Sequence, residues 1–141
     1  MSQNAGDSGR RGAVAVVVRD ARLLVIRRSR FVVAPRTFCF PGGALEGEES
    51  EEEALVREIR EELGVSIRPK RRIWRSVTPW NVHLSWWLSH LEPDARLVPN
   101  PDEVESVHWH TPEEMAGLPN LLKSNQHFLC ALASGEIDLV T

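Results

Sequence analysis

The chain has 141 residues, a formal net charge of −3 and a sequence pI of about 6.0. This length allows one domain with its own hydrophobic core, and the slightly acidic balance argues against a general nucleic-acid-binding surface. No apolar run approaches the roughly 20 residues that span a bilayer, and the polar first residues lack the apolar stretch of a signal peptide. We therefore expect a disordered arm over residues 1–11, one domain over residues 12–141, a cytoplasmic location, and neither a membrane nor a nucleic-acid polymer as partner.

The two cysteines, Cys39 and Cys130, lie far apart and form no CxxC or cysteine–histidine pattern. This spacing favours neither a zinc site nor a disulfide. In a reduced cytoplasm, we expect both residues to be buried free thiols.

The first 40 residues predict a hairpin and a short strand. A β-branched run over residues 13–18 and an apolar run over 23–26 predict two strands, and the polar residues 19–22 between them predict the turn. A basic loop follows over residues 27–36. Residues 38–40 predict a short strand that leads into a proline–glycine–glycine sequence.

The clearest predicted element is a helix over residues 51–63. Ser50 followed by Glu53 is the pattern of a capping box, which marks a helix start. Gly64 is expected to end the helix in a left-handed conformation. Apolar residues recur at helical spacing between these ends and predict a buried stripe, namely Ala54, Leu55, Ile59 and Leu63.

The second half predicts three strands and two helices. Residues 67–77, 83–91 and 104–109 read as strands, and the second of them places Trp86 and Trp87 on opposite faces. Pro112 predicts the first turn of a short helix. A last helix is expected over residues 121–133, with Asn120 as its N-cap and Gly135 at its end.

Three carboxylates share one face of the predicted helix 51–63. Glu58 and Glu62 are four residues apart, and Glu61 is three residues after Glu58. Like charges at this spacing are destabilising unless a cation neutralises them, and Mg²⁺ or Mn²⁺ suits carboxylate and carbonyl oxygens. A solvated acidic helix face is the alternative, and the glycine pair upstream makes it the less favoured one because glycine lets the backbone approach closely.

Residues 43–65 resemble the Nudix box, in which a glycine, a loop glutamate and an acidic helix stand at fixed spacing. Ile59 and Val65 fill its aliphatic positions. The fixed positions of the pattern are all present here, namely Gly43, Glu49, Arg57, Glu58, Glu61, Glu62 and Gly64.

The resemblance implies a Nudix fold, which is an α/β/α sandwich around a mixed β-sheet. It also implies hydrolysis of a nucleoside diphosphate linked to another group, with release of a nucleoside monophosphate. The implied metal ligands are Glu58 and Glu62, then Glu61 and the Gly43 carbonyl. Arg57 would pair with Glu49, because the bidentate geometry of this pair suits arginine and not lysine.

Catalytic roles are implied for Arg57, Glu58 and Glu61, but the general base stays open. Glu58 is one candidate, and Glu103 and Glu105 near the strand 104–109 are two others. Strand alternation places these last two on the same face, so periodicity does not separate them. Gly42 and Gly64, together with the loop glutamate of the box, would support the structure around the site.

Substrate contacts are expected outside the box. One or two arginines of the basic loop, with Arg36 as the selected candidate among Arg27, Arg28, Arg30 and Arg36, would bind phosphates. Trp80 would stack on a base. Asn120 or Asn125 would read a base edge. Ordinary surface charge is an equally favoured interpretation for each arginine, and helix capping for Asn120.

Markers of Nudix groups leave the substrate open. The chain has no tyrosine, which counts against the dinucleoside polyphosphate hydrolases. Pro79 lies one position short of the proline typical of ADP-ribose hydrolases, and the small size resembles nucleoside triphosphatases. The substrate is therefore a nucleoside triphosphate, including an oxidised one, or a nucleotide sugar such as ADP-ribose. A non-catalytic nucleotide-binding module is the alternative function, and a domain that binds a cation only for stability is another.

The protein is expected to be a monomer or a homodimer.

Overall fold

The computed structural model describes residues 10–140, which contain eight strands and three helices. The strands are β1 (Arg11–Val16), β2 (Val18–Arg19), β3 (Arg22–Arg28), β4 (Phe38–Cys39), β5 (Gly42–Ala44), β6 (Arg68–Val77), β7 (His83–His90) and β8 (Val104–His110). The helices are α1 (Glu51–Leu63), α2 (Pro112–Ala116) and α3 (Lys123–Ala133). Most of the predicted arm lies outside the described residues, and Arg11, which the prediction assigned to the arm, is the first residue of β1.

The strands form two four-stranded sheets. The first sheet has the order β5-β1-β7-β6, in which β1 runs parallel to β7 and the other pairs are antiparallel. In the second sheet, β2 and β4 pair with the two ends of β3, and β8 pairs with β3 along its other edge. The first sheet is therefore mixed, as the resemblance implied.

Helices cover both faces of the strands. Ala13 and Leu24 point to one side, where they share a core cluster with Leu55 of α1. Leu23 points to the other side, where it shares a second cluster with Phe128 of α3. This alternation along the strands gives the predicted α/β/α sandwich.

Helix α1 has the predicted bounds and caps. The Ser50 side chain accepts a hydrogen bond from the Glu53 N–H, and the Glu53 side chain accepts one from the Ser50 N–H. Gly64 has φ 68° and ends the helix in the left-handed conformation. Both ends of the helix are thus set by local sequence, which is why they were predictable.

The tryptophans of β7 lie on opposite faces, as predicted. Trp86 is fully buried in the cluster under α3, where its ring stacks on Phe128 with centroids 4.9 Å apart. Trp87 is partly buried and packs against the cluster under α1. The turn predicted over residues 19–22 is shorter in the structure: Asp20 and Ala21 have positive φ, and Arg19 pairs with Arg22. Only the end of the predicted first strand, β2, pairs with β3, because β1 pairs with β7 in the other sheet.

The start of α3 differs from the prediction. The helix begins at Lys123 with Leu122 as its N-cap, and no side chain caps it. Asn120 has φ 59° instead, and its carbonyl accepts a hydrogen bond from the Phe38 N–H (2.9 Å). A bridge between Phe38 and Leu121 keeps this segment extended, so the helix cannot start earlier.

The expectation for the cysteines is half right. Both are free thiols, and Cys39 is buried, but Cys130 is exposed. Phe128, Leu129 and Ala131 supply the buried side of α3, which leaves Cys130 on the outer side of the helix.

Among residues 10–140, no helix is both long enough and apolar enough to cross a bilayer. The cytoplasmic location stays a prediction.

Candidate active site

Three carboxylates meet where α1 approaches the loop before β8. Glu58 and Glu62 lie one turn apart on α1, and Glu103 comes from the loop. An oxygen of each lies within 4.8 Å of the other two. Within the described part of the chain, no other group of three acidic, histidine or cysteine side chains meets this spacing.

The loop that carries Glu103 is fixed to the end of α1. The Val98 N–H donates to the Leu63 carbonyl (2.8 Å), and the Asn100 N–H donates to the Glu62 carbonyl (2.9 Å). These carbonyls belong to the last turn of the helix, where no intrahelical donor remains. The same bonds that satisfy the helix end therefore place Glu103 beside the helix carboxylates.

Burial disfavours the ionised form of both helix carboxylates of the cluster. Burial, strengthened by the nearby Glu58, raises the pKa of Glu62 well above its ordinary value. The Gly42 N–H donates to Glu62 Oε1 (3.2 Å) and offsets part of this effect. Burial also raises the pKa of Glu58, while Arg57 opposes the rise. Closely spaced oxygen donors of this kind fit a hard divalent cation such as Mg²⁺ or Mn²⁺.

The two glycines before α1 are required by close approach. A Cβ atom on Gly43 would lie 2.6 Å from both carboxylate oxygens of Glu58. A Cβ atom on Gly42 would lie 2.9 Å from the Cα atom of Val14, and Gly42 has φ 151°, which L side chains rarely adopt. Gly43 thus lets the β5 backbone approach the carboxylate face of α1, and Gly42 lets β5 approach β1. The metal-ligand role expected for the Gly43 carbonyl stays a prediction.

Arg57 joins the loop, β5 and the carboxylates. Its Nε and Nη2 donate to the two carboxylate oxygens of Glu49 at 2.7 and 3.0 Å, so the predicted bidentate pair is present. Its Nη2 also donates to the Ala44 carbonyl (3.0 Å), and its Nη1 donates to Glu58 Oε1 (3.0 Å). Hydrogen bonding to Arg57 lowers the pKa of Glu49, and this pair in turn raises the pKa of Arg57. The arginine therefore fixes the position of one carboxylate of the cluster.

A buried carboxylate that the sequence analysis did not select fixes the other end of α1. Glu51, in the first turn, accepts hydrogen bonds from Trp87 Nε1 (2.8 Å), Ser85 Oγ (2.9 Å) and Arg11 Nη2 (2.8 Å). Burial acts to raise the pKa of Glu51, but these bonds and the charge of Arg72 lower it below its ordinary value. In the sequence Glu51 looks like one of three first-turn glutamates, so only its packing on the sheet distinguishes it.

Two predicted acidic residues lie apart from the cluster. Glu61 is half-exposed, and its Oε1 accepts a hydrogen bond from Arg57 Nη1 (3.2 Å). Glu105 lies 3.4 Å from Arg27 and 3.7 Å from Arg36. Because β8 begins at Val104, Glu103 lies in the turn before the strand and Glu105 lies within it. Strand alternation, which had placed both on one face, therefore does not apply to Glu103.

A groove of two adjoining cavities lies next to Gly42 and Gly43, which contact the carboxylates, on the side of the first sheet that α3 covers. The two cavities share Leu122 and Ser124. The first, here called the glycine cavity, measures about 220 Å³, and its wall includes Gly12, Gly43, Leu84, Arg28 and Asn125. The second, here called the tryptophan cavity, measures about 420 Å³, and its wall includes Ser76, Pro79, Trp80, Lys123 and His127.

The predicted substrate residues divide between the groove and the rest of the surface. Trp80 is 74% exposed and lines the tryptophan cavity. Arg28 lines the glycine cavity, whereas Arg36 lies outside its wall and faces Glu105. Asn120 also lies outside both walls.

Asn125 is in the wall of the glycine cavity but has a structural bond. It is buried, and its Oδ1 accepts a hydrogen bond from the Phe40 N–H (2.9 Å). Ser124 lines both cavities and His127 lines the tryptophan cavity, and neither residue was selected from the sequence. Their helical spacing is that of an ordinary helix surface, so one sequence carries no signal for them.

The family of the chain follows from comparison with known proteins. The family model described as NUDIX domain matches residues 9–132, which include every residue of the carboxylate cluster and of both cavities named above. The chain therefore belongs to the NUDIX domain family.

Curated relatives and a solved structure agree with this assignment. The chain is 32% identical over 106 residues to the NAD-capped RNA hydrolase NudC of Stutzerimonas stutzeri, covering 75% of this chain but only 38% of that protein. It is 32% identical over 108 residues to the CTP pyrophosphohydrolase of Escherichia coli strain K12, covering 74% of this chain and 78% of that protein. The crystal structure of a MutT NUDIX hydrolase from Burkholderia pseudomallei is 27% identical, with a TM-score of 0.68 and coverage of 85% of this chain and 95% of that one.

Proposed function

We propose that this Nudix hydrolase cleaves a nucleoside triphosphate to a nucleoside monophosphate and inorganic pyrophosphate, with Mg²⁺ or Mn²⁺ as cofactor. The observation that carries the proposal is that the two glycines in contact with the carboxylate cluster also line a groove that has an arginine and an aromatic wall. Water attacks one of the two phosphorus atoms joined by the α–β bridging oxygen, the bond from that phosphorus to the bridging oxygen breaks, and the nucleoside monophosphate and pyrophosphate separate. A relative of which the chain covers 78% is named CTP pyrophosphohydrolase, which is the same class of reaction.

Glu58, Glu62 and Glu103 would hold the divalent cation, with the Gly43 carbonyl as a further ligand. The cation would neutralise charge on the phosphate oxygens and favour deprotonation of water. Glu58 and Glu103 are the candidates for the base that accepts the proton of the attacking water. The pKa of Glu58 is raised by burial, which suits a proton acceptor at neutral pH. Arg57 holds its oxygen in place at 3.0 Å.

The groove would bind the rest of the nucleotide. Arg28 lies beside the carboxylates and contributes a positive charge that lowers the pKa of Glu62, so it is a better phosphate ligand than Arg36. Its Nε donates to the Val33 carbonyl (2.8 Å), which orients the guanidinium. Trp80 would stack on the base, because exposed aromatic rings are effective platforms for nucleobases.

A nucleotide sugar such as ADP-ribose is the second candidate substrate. Pro79, whose position resembles the marker of ADP-ribose hydrolases, lines the tryptophan cavity. A capped RNA is a third candidate substrate, because several relatives are named NAD-capped RNA hydrolase. The chain spans about two fifths of the length of the first of them. The oligomeric state stays a prediction.

The test is turnover of a nucleotide panel with Mg²⁺, with products separated by chromatography. The panel holds the common and 8-oxo nucleoside triphosphates, ADP-ribose, other nucleotide sugars, dinucleoside polyphosphates and a short NAD-capped RNA. We expect release of a nucleoside monophosphate from a triphosphate, loss of activity in Glu62→Gln, and normal activity in Glu52→Gln, a matched change at an exposed position of the same helix. Nucleotide binding without turnover of any member would favour a non-catalytic binding module.

A further inference from the structure

Gly12, the second residue of β1, lies between two paired strands and has no backbone reason to be glycine. It belongs to β1, pairs with Ala44 on β5 and with Leu84 on β7, and does not have a positive φ. A glycine inside a strand weakens the strand, because it loses more conformational entropy on folding and packs no side chain. Such a glycine is expected where something must approach the backbone closely.

A side chain at this position would enter the groove. A Cβ atom on Gly12 would lie 3.0 Å from Leu84 Cδ2 and 3.4 Å from the Gly43 carbonyl oxygen. All three residues line the glycine cavity, which is the smaller of the two. Even one methyl group would therefore push the Leu84 side chain and narrow the cavity.

Gly12 also lies on a row that crosses the first sheet from the carboxylates to the tryptophan cavity. The register places Ala44, Gly12, Leu84 and Ser76 side by side on four adjacent strands. Ala44 follows Gly43, which touches Glu58, and Ser76 lines the tryptophan cavity. Adjacent strands are about 5 Å apart. A nucleotide with its phosphates at the carboxylates and its base near Trp80 would lie along this row, with its sugar over Gly12.

We propose that Gly12 is a specificity-determining residue, whose missing side chain makes room for the sugar of the substrate nucleotide. This inference rests on the proposed function, because it assumes that the phosphates bind at the carboxylate cluster. It assigns the glycine cavity to the sugar and leaves the tryptophan cavity to the base.

The experiment compares wild type, Gly12→Ala, Gly12→Val and Gly117→Ala, with the best substrate of the panel. Gly117 is the matched control, because a Cβ atom there would meet no heavy atom closer than 3.6 Å and it lies outside the groove. We expect kcat/KM to fall about 10-fold in Gly12→Ala and about 100-fold in Gly12→Val, the range for one or more misplaced methyl groups in a substrate pocket. The control should match wild type.

Imidodiphosphate separates the sugar from the phosphates, because it can bind only where pyrophosphate binds. Its inhibition constant and the Mg²⁺ concentration for half-maximal rate should be unchanged in Gly12→Ala. If either moves together with KM, the methyl group acts through the Gly43 carbonyl, and the proposal is wrong. An unchanged kcat/KM would also overturn it.

Two further variants keep the test decisive if Gly12→Ala folds poorly. Leu84→Phe narrows the same passage with Gly12 intact and should give the same selective loss. Leu84→Ala combined with Gly12→Ala removes the displaced side chain and should restore most of kcat/KM relative to Gly12→Ala alone. Failure of both expectations would overturn the role of Gly12. If wild type turns over no nucleotide, the proposed function fails, and nucleotide Kd values in the same variants test the room at Gly12 separately.

Discussion

The contact between Gly43 and Glu58 gives a sharp test of the site. In Gly43→Ala, the new Cβ atom would lie 2.6 Å from both oxygens of the Glu58 carboxylate, whereas ordinary contacts begin at 3.4 Å. The carboxylate carbon would be closer still, at 2.4 Å, so the group must move by about 1.0 Å, and it can do so because it is the far end of a flexible side chain. Gly43 has no positive φ, so alanine introduces no backbone strain there.

This displacement should reduce activity far more than stability. A misplacement of about 1 Å at a reacting group reduces the rate about 100-fold, so we expect kcat of Gly43→Ala to fall by about that factor. The assay is steady-state hydrolysis of the best nucleotide at saturating Mg²⁺, with the melting temperature measured on the same samples. The melting temperature should stay close to that of wild type.

The control and the refuting result are both simple to obtain. Gly117→Ala adds the same methyl group at a position where the nearest heavy atom is 3.6 Å away, and it should keep full activity. If Gly43→Ala hydrolyses the nucleotide within twofold of the wild-type rate, the position of the Glu58 carboxylate does not limit the reaction, and its role as ligand or base is wrong.

Three other changes test separate parts of the site. Arg57→Lys should lower both the melting temperature and kcat, because lysine cannot keep the bidentate pair with Glu49 together with the bond to Glu58. Unchanged values in both measurements would show that the pair is not needed. Trp80→Ala should raise KM about 10-fold with little change in kcat, since stacking on a base contributes about 1–3 kcal/mol, and Phe31→Ala, at another exposed aromatic, is the control. Because the folded-state pKa of Glu62 is raised, its contribution to stability is fully present below its unfolded-state pKa and is lost as pH rises through the folded-state pKa. Denaturant titrations in EDTA should therefore find Glu62→Gln more stable than wild type at pH 8 and similar at pH 4, and equal stability at pH 8 would contradict the burial of this charge.

Local signals in the sequence predicted α1 and its box well. Ser50, Glu53 and Gly64 set the ends of the helix through contacts within a few residues, and the spacing of Glu58 and Glu62 fixes them on one face. The pairing of Arg57 with the loop was also predictable, because the Nudix resemblance carries that contact. These features need no information about the rest of the chain.

Features that depend on distant segments were not predictable in the same way. Asn120 looked like an N-cap, but Leu121 forms a bridge with Phe38, and Asn120 lies in the turn before it with φ 59°. Arg36 and Arg28 are equivalent in a basic loop, and only the pairing of β3 turns Arg28 toward the carboxylates. Glu51 looked like any first-turn glutamate in the sequence, and its hydrogen-bond donors, Ser85 and Trp87, lie on the distant strand β7.

The two helix carboxylates of the cluster differ in a way that explains how the site is built. Glu58 has a fixed position because Arg57, itself held by Glu49 and the β5 backbone, donates to it at 3.0 Å. Glu62 is more deeply buried and accepts a hydrogen bond from the Gly42 N–H, a neutral donor. Arg57 thus donates directly to Glu58, whereas Glu62 accepts a hydrogen bond from a neutral donor and is influenced by the charge of Arg28. The divalent cation proposed for this site would therefore also stabilise the folded state, because it would offset the burial of the Glu62 carboxylate.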